Sequence, residues 1–146
     1  MARIDFDSPC TNLYLNMLQS VISRMSVNST GCKSWCIALA SAVVVVAFAG
    51  AKPDYLTISL VPVVLFLFLD AYYLALERHF RSKQDDFVRK LQERKATLDD
   101  LFALSGKMHA PLRSTIVAMM SFSVWPFYLL MIVMFVIVWA LLKRAG

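Results

Sequence analysis

Residues 55–81 read YLTISLVPVVLFLFLDAYYLALERHFR, and Asp70 is the only charge in them before Glu77. As a helix, the run from Tyr55 to Leu76 rises about 33 Å, enough for a hydrocarbon core of about 30 Å. Backbone polar groups in lipid need partners within their own segment or in a closed barrel. The run has none of the alternation of a barrel strand, so it is expected to be a membrane-spanning helix. Nothing stops that helix at Leu76. From Glu77 to about Leu104 there is no proline or glycine, and Gly106 is a natural stop. One continuous rod of roughly 45–50 residues, about 70 Å long, is expected.

Outward from this rod, residues 34–51 are uncharged between Lys33 and Lys52, and Lys52-Pro53-Asp54 separates them from Tyr55. Two close spans in a helical hairpin follow. Arg113 and Lys143 bound a third uncharged stretch, longer than one crossing needs. With Ser123 as a cap and Pro126 in the first turn, its span is expected near Val124–Leu142, leaving residues 112–122 partly at the surface; a kinked single helix is the alternative. Before the first span, Ser8-Pro9 has the form of a helix start. Tyr14, Met17, Leu18, Val21, Ile22 and Met25 then recur on one face, as in an amphipathic helix.

The expected fold is therefore an all-α membrane protein. It comprises an amphipathic N-terminal helix (1–33), a transmembrane hairpin (34–76), a cytoplasmic helix and linker (77–113) and a third transmembrane helix (114–146). Composition agrees: 59% of the 146 residues are hydrophobic and 17% charged, and the mean hydropathy is +0.62. Soluble chains average about 45–50% apolar and about 25% charged. The net charge of +5 marks a membrane side rather than a nucleic-acid surface. With the N-terminus cytoplasmic, all Lys and Arg lie inside except Lys52, Lys143 and Arg144.

Along the rod, Ser59, Val63, Phe66, Asp70, Tyr73, Glu77, Phe80, Gln84, Phe87, Leu91, Arg94, Leu98 and Leu101 form a stripe in steps of three and four. Such a stripe keeps one face toward a partner. In a homo-oligomer, Asp70 and Glu77 would repeat as acidic rings, which favour cations, with Val63 and Phe66 as an apolar constriction and Tyr73 between the acids. Phe80, Gln84, Phe87, Leu91, Leu98 and Leu101 would hold subunits together. The plainer reading is that the stripe is packing and that Glu77 pairs with Arg81. Arg78, Arg81, Arg89, Lys90 and Arg94 crowd the inner surface, where they suit anionic lipid headgroups or a phosphate-bearing ligand such as a nucleotide or oligonucleotide.

Ser34, Ala38 and Ala42 are small residues at a spacing that lets another helix approach. Trp125, Tyr128 and Trp139 suit interfacial belts. Cys10, Cys32 and Cys36 with His79 and His109 match no metal spacing, and no phosphate loop or catalytic triad is present, so neither an enzyme nor a cofactor is expected. Asn28-Ser29-Thr30 has the glycosylation pattern but falls on the cytoplasmic side.

The strings Asn28-Ser29-Thr30-Gly31-Cys32-Lys33-Ser34-Trp35 and Leu69-Asp70-Ala71-Tyr72-Tyr73-Leu74-Ala75-Leu76-Glu77-Arg78, in this layout, resemble the SLATT-type membrane effectors of bacterial anti-phage defence. The likeness covers roughly residues 13–104 and is similar to the ion-channel subunit of Hailong systems. It implies a homo-oligomeric pore, expected to be a tetramer, in the bacterial inner membrane. It also implies a companion nucleotidyltransferase whose nucleotide or oligonucleotide product controls the pore. The third span departs from the minimal two-span pattern. A non-conducting membrane anchor or regulatory subunit that tethers a soluble partner is the alternative, and a small transporter component a third.

Overall fold

The computed structural model describes residues 8–50, 55–58, 60–97, 100 and 112–145. Its regular elements are helices: α1 (Pro9–Gly50), α2 (Tyr55–Ile58), α3 (Leu60–Gln92), α4 (Leu112–Met119) and α5 (Trp125–Ala145). Three stretches are long and apolar enough to cross a membrane: Pro9–Gly50, Leu56–Gln92, which takes in α2 and α3, and Trp125–Arg144.

Ser8 starts α1 as its sequence suggests. The Thr11 N–H donates to Ser8 Oγ at 3.2 Å, and the two hydroxyls lie 2.8 Å apart. Proline in the first turn loses no helical hydrogen bond. The 42 residues of α1 rise about 63 Å without a break, so the separate amphipathic helix ending at residue 33 is not found. No proline follows Pro9 in α1, and its hydroxyls do not unwind it: Thr30 Oγ1 donates back to the Ser26 carbonyl at 3.2 Å and Ser34 Oγ to the Thr30 carbonyl at 3.3 Å.

α1 and α3 pack along one another in opposite directions. Tyr14 meets the Phe87 ring edge-on at 4.6 Å, Ser29 bonds Asp70, and Cys36 and Ala40 share a cluster with Val63. Of the expected amphipathic face, Tyr14, Leu18 and Ile22 are buried, but Met17 is exposed. Ser34, Ala38 and Ala42 also face outward. Their expected packing role falls to Cys36, Ala40 and Ala47, which are buried, and to Ala71 and Ala75 on α3. Small side chains at these sites let the two backbones approach closely.

The buried residues form two clusters along this pair. One joins Tyr14, Leu18 and Ile22 to Phe80, Phe87 and Leu91, with Ala118 of α4. The other joins Cys36, Ala40 and Ala47 to Val63 and to Val124, Tyr128, Met131 and Phe135. Around the second cluster the outward positions are apolar, including Trp35, Val45, Val64, Leu130 and Val136, as suits a lipid-facing surface.

The long rod ends earlier than its sequence suggests. α3 stops at Gln92, and Arg94 takes a left-handed φ of 54°. The Lys95 N–H donates to the Lys90 carbonyl at 2.8 Å and the Arg94 N–H to that of Leu91 at 3.0 Å, the paired bonds of a Schellman cap. A new turn follows. Thr97 donates from its N–H and hydroxyl to Asp100 Oδ2 at 2.9 and 3.0 Å, and Lys90 Nζ lies 2.5 Å from Asp100 Oδ1. The stripe positions Leu98 and Leu101 lie outside the described residues.

The third apolar stretch is divided as expected. α4 buries Thr115 and Ala118 and turns Leu112, Ile116, Val117 and Met120 outward. The carbonyl of Ser121, not the side chain of Ser123, receives the N–H groups of Val124 and Trp125 at 3.0 and 2.9 Å. Pro126 then sits where no N–H is needed.

Two expectations follow from the end of α3. Arg94→Gly relieves a left-handed side-chain conformation and is expected to raise stability by about 1 kcal/mol, measured by unfolding in mixed micelles. Second, the hydrogen bond from Lys90, then the Thr97 N–H, holds the Asp100 carboxyl below its ordinary value. Its contribution is complete above the unfolded carboxylate value of about 3.9 and is lost as pH falls through the lowered folded value. Asp100→Asn is expected to flatten that acid limb in thermal melts.

Candidate functional site

Asp70 is the one acid within the apolar part of α3, and it is fully buried, at 0% exposure. Two residues of α1 reach it, although among the described residues its Oδ2 has an ion-pair neighbour and no hydrogen bond of regular geometry. Ser29 donates its hydroxyl to Asp70 Oδ1, and Lys33 Nζ lies 2.7 Å from Oδ2. Ser29 and Lys33 are one helical turn apart, so both reach the same carboxylate. Lys33 Nζ also donates to Ser29 Oγ at 3.4 Å, which closes the group into a triangle. The Lys33 side chain keeps 21% of its surface exposed, whereas that of Asp70 has none.

This group stands between the two apolar clusters. Buried Cys32 and Cys36 lie beside it on α1. Tyr128 of α5 is buried in the adjoining cluster with Cys36 and Val63. Three helices thus meet beside this group. A buried ion pair contributes little net stability against an apolar replacement, but removing one partner costs about 3–5 kcal/mol because the other charge is stranded. The arrangement therefore ties α1 to α3 at a defined register. Among the described residues no group of three metal-ligating side chains is present.

The remaining expected site residues divide clearly. Val63 is buried, and Phe66, Tyr73 and Glu77 are half-buried. Glu77 pairs with Arg81 at 2.9 Å, as the plainer reading has it. Phe80, Phe87 and Leu91 are buried, clustered with Tyr14, Leu18 and Ile22 of the same chain, and Gln84 is half-buried at the edge. The stripe is real, but α1 of its own chain covers it in this conformation. Within the chain, Asp70 faces Lys33.

The basic set is also largely engaged within the chain. Arg78 Nη2 donates to Ser121 Oγ at 2.6 Å, Arg89 pairs with Asp86 at 2.9 Å, and Lys90 pairs with Asp100. Arg94 is exposed on the turn after α3. The expected set omitted Ser29, Lys33, Tyr128 and Ser121. Lys33 was legible: it stands nineteen residues before Lys52 and Asp70 eighteen after it, so hairpin arms of equal length set the two opposite each other.

Lys33→Met is expected to lower stability by about 3–5 kcal/mol, because Asp70 is left buried and unpaired. Asp70→Asn is expected to cost less, since its amide oxygen still accepts from Ser29. The double variant is expected to be more stable than Lys33→Met alone; equilibrium unfolding in micelles measures this cycle. No family model, curated protein or solved structure matches the chain.

Proposed function

We propose that the chain is the pore-forming subunit of an oligomeric membrane effector of bacterial anti-phage defence, described here in a closed conformation. In this reading α1, α2–α3 and α5 cross the inner membrane, the N-terminus is cytoplasmic, and α1 with α2–α3 forms the transmembrane hairpin. The assembly is a homo-oligomer, a tetramer in the simplest form. Its control signal is a nucleotide or oligonucleotide made by a companion nucleotidyltransferase.

One observation supports the proposal: a fully buried acid in an apolar helix, held by Ser29 and Lys33 of α1. An ionisable group within a span is a functional candidate by default. While Lys33 and Ser29 hold Asp70, the acid is closed to ions. Conduction requires α1 to shift along α3, exposing Asp70, Glu77 and the stripe from Phe80 to Leu91 to neighbouring copies. Breaking the pair costs about 3–5 kcal/mol, so the signal must bind the open state roughly two to four powers of ten more tightly.

A second reading is favoured by a different observation. The stripe and the acid are satisfied within one chain, as suits a non-conducting anchor or regulatory subunit that tethers a soluble partner. Planar-bilayer recording of the purified chain separates the two. The pore reading expects Lys33→Met to raise open probability by about a hundredfold, and Asp70→Asn with Glu77→Gln to reduce cation selectivity. Absence of conductance in the native chain and in Lys33→Met overturns the pore reading and leaves the anchor.

A further inference from the structure

A groove of about 270 Å³ lies between α2, the start of α3 and the C-terminal half of α5. Leu56, Leu60, Ile132, Phe135 and Trp139 line it, with Thr57 supplying the one hydroxyl. Ligand clefts of about 300–1,000 Å³ usually carry several polar groups that orient the ligand. This groove does not, so its occupant is a flexible apolar chain. The volume suits one chain segment rather than a whole amphiphile.

Charge enters at one end. Trp139 forms a lip of the groove, and Lys143, one helical turn further along α5, holds Nζ 4.8 Å over the Trp139 ring. Arg144 follows it, and both are exposed. An apolar groove with a cation held over its Trp139 lip matches a molecule with an acyl chain and an anionic phosphate. A second copy of this chain in the same membrane orientation fits less well, because it brings its own Lys143 and Arg144 against these. We propose that this groove binds one acyl chain of an anionic phospholipid, whose phosphate sits at Lys143 and Arg144. The site rests on the membrane-crossing part of the reading above, but not on conduction.

The test uses the full chain with Trp35→Phe and Trp125→Phe, so that Trp139 is the sole indole, in phosphatidylcholine vesicles. Quenching by lipids with brominated acyl chains is measured for phosphatidylcholine and phosphatidylglycerol at equal mole fraction. Quenching by the brominated phosphatidylcholine reports that Trp139 lies in lipid; its absence overturns the membrane placement and the site together. With quenching established, the site expects phosphatidylglycerol to associate about fivefold more strongly for each basic side chain engaged. Lys143→Gln is expected to reduce that preference by about fivefold. Leu60→Phe and, separately, Ile132→Phe fill the groove and are expected to abolish the preference while both basic residues remain. Equal quenching by the two lipids overturns the proposal. A preference that survives both groove fillings also overturns it, since the cations would then be attracting headgroups without a bound chain.

Discussion

The contact between Asp70, Ser29 and Lys33 is the constraint on which the rest of the architecture turns. A carboxylate with no exposed surface cannot be left without a cation, and the cation nearest in the fold belongs to α1. Apolar packing alone tolerates sliding, because one leucine contact resembles the next. A buried charge pair does not tolerate it: displacement by one turn, about 5.4 Å, strands the acid. The pair therefore fixes the register of α1 on α3, and Tyr14 on Phe87 and Cys36 near Val63 follow from it. Because Tyr128 packs with Cys36 and Val63 in the cluster beside this pair, the third apolar helix is referred to that register too.

The all-helical class and the three long apolar helices were legible because a long uncharged run is a coarse signal. The Ser8-Pro9 start likewise translates directly into the beginning of α1. Two things were not legible. Gln92 carries no stop signal, since the chain turns with Arg94 in a conformation that favours glycine; tertiary ties between Lys90 and Asp100 hold that turn, and they join residues ten apart. The covering partner of the stripe was hidden as well. A repeat of apolar residues at steps of three and four states that a face is covered, not whether the cover is a second copy or the same chain. Here Leu18 and Ile22 of α1, spaced on the matching period, supply it.

The same distinction governs the acids. A heptad stripe containing Asp70 and Glu77 has two ways to satisfy them: water along a shared axis, or partners within the chain. The described conformation uses the second for both, Lys33 for Asp70 and Arg81 for Glu77. The two pairs differ in kind. Glu77 and Arg81 lie on one helix with Arg81 largely exposed, so their pairing holds nothing together and is worth only a few tenths of a kcal/mol. The Asp70 pair joins two helices around a fully buried carboxylate, so its rupture and the displacement of α1 on α3 are one event.

That equivalence gives the uninterrupted length of α1 a consequence. Its N-terminal half packs on the outer part of α3 through Tyr14, Leu18 and Ile22, and its C-terminal half packs on Val63 and α5 through Cys36, Ala40 and Ala47. Ser29 and Lys33 lie between these contacts. No proline follows Pro9 in α1, and its one interior glycine, Gly31, stands between Ser29 and Lys33 on an open side of the helix, so bending of α1 is concentrated at the charge pair itself. A force on the N-terminal half is therefore delivered to the charge pair. A separate amphipathic helix joined by a flexible linker would dissipate it. Because Pro9–Gly50 is one continuous helix, residues on either side of position 33 move with the same rod.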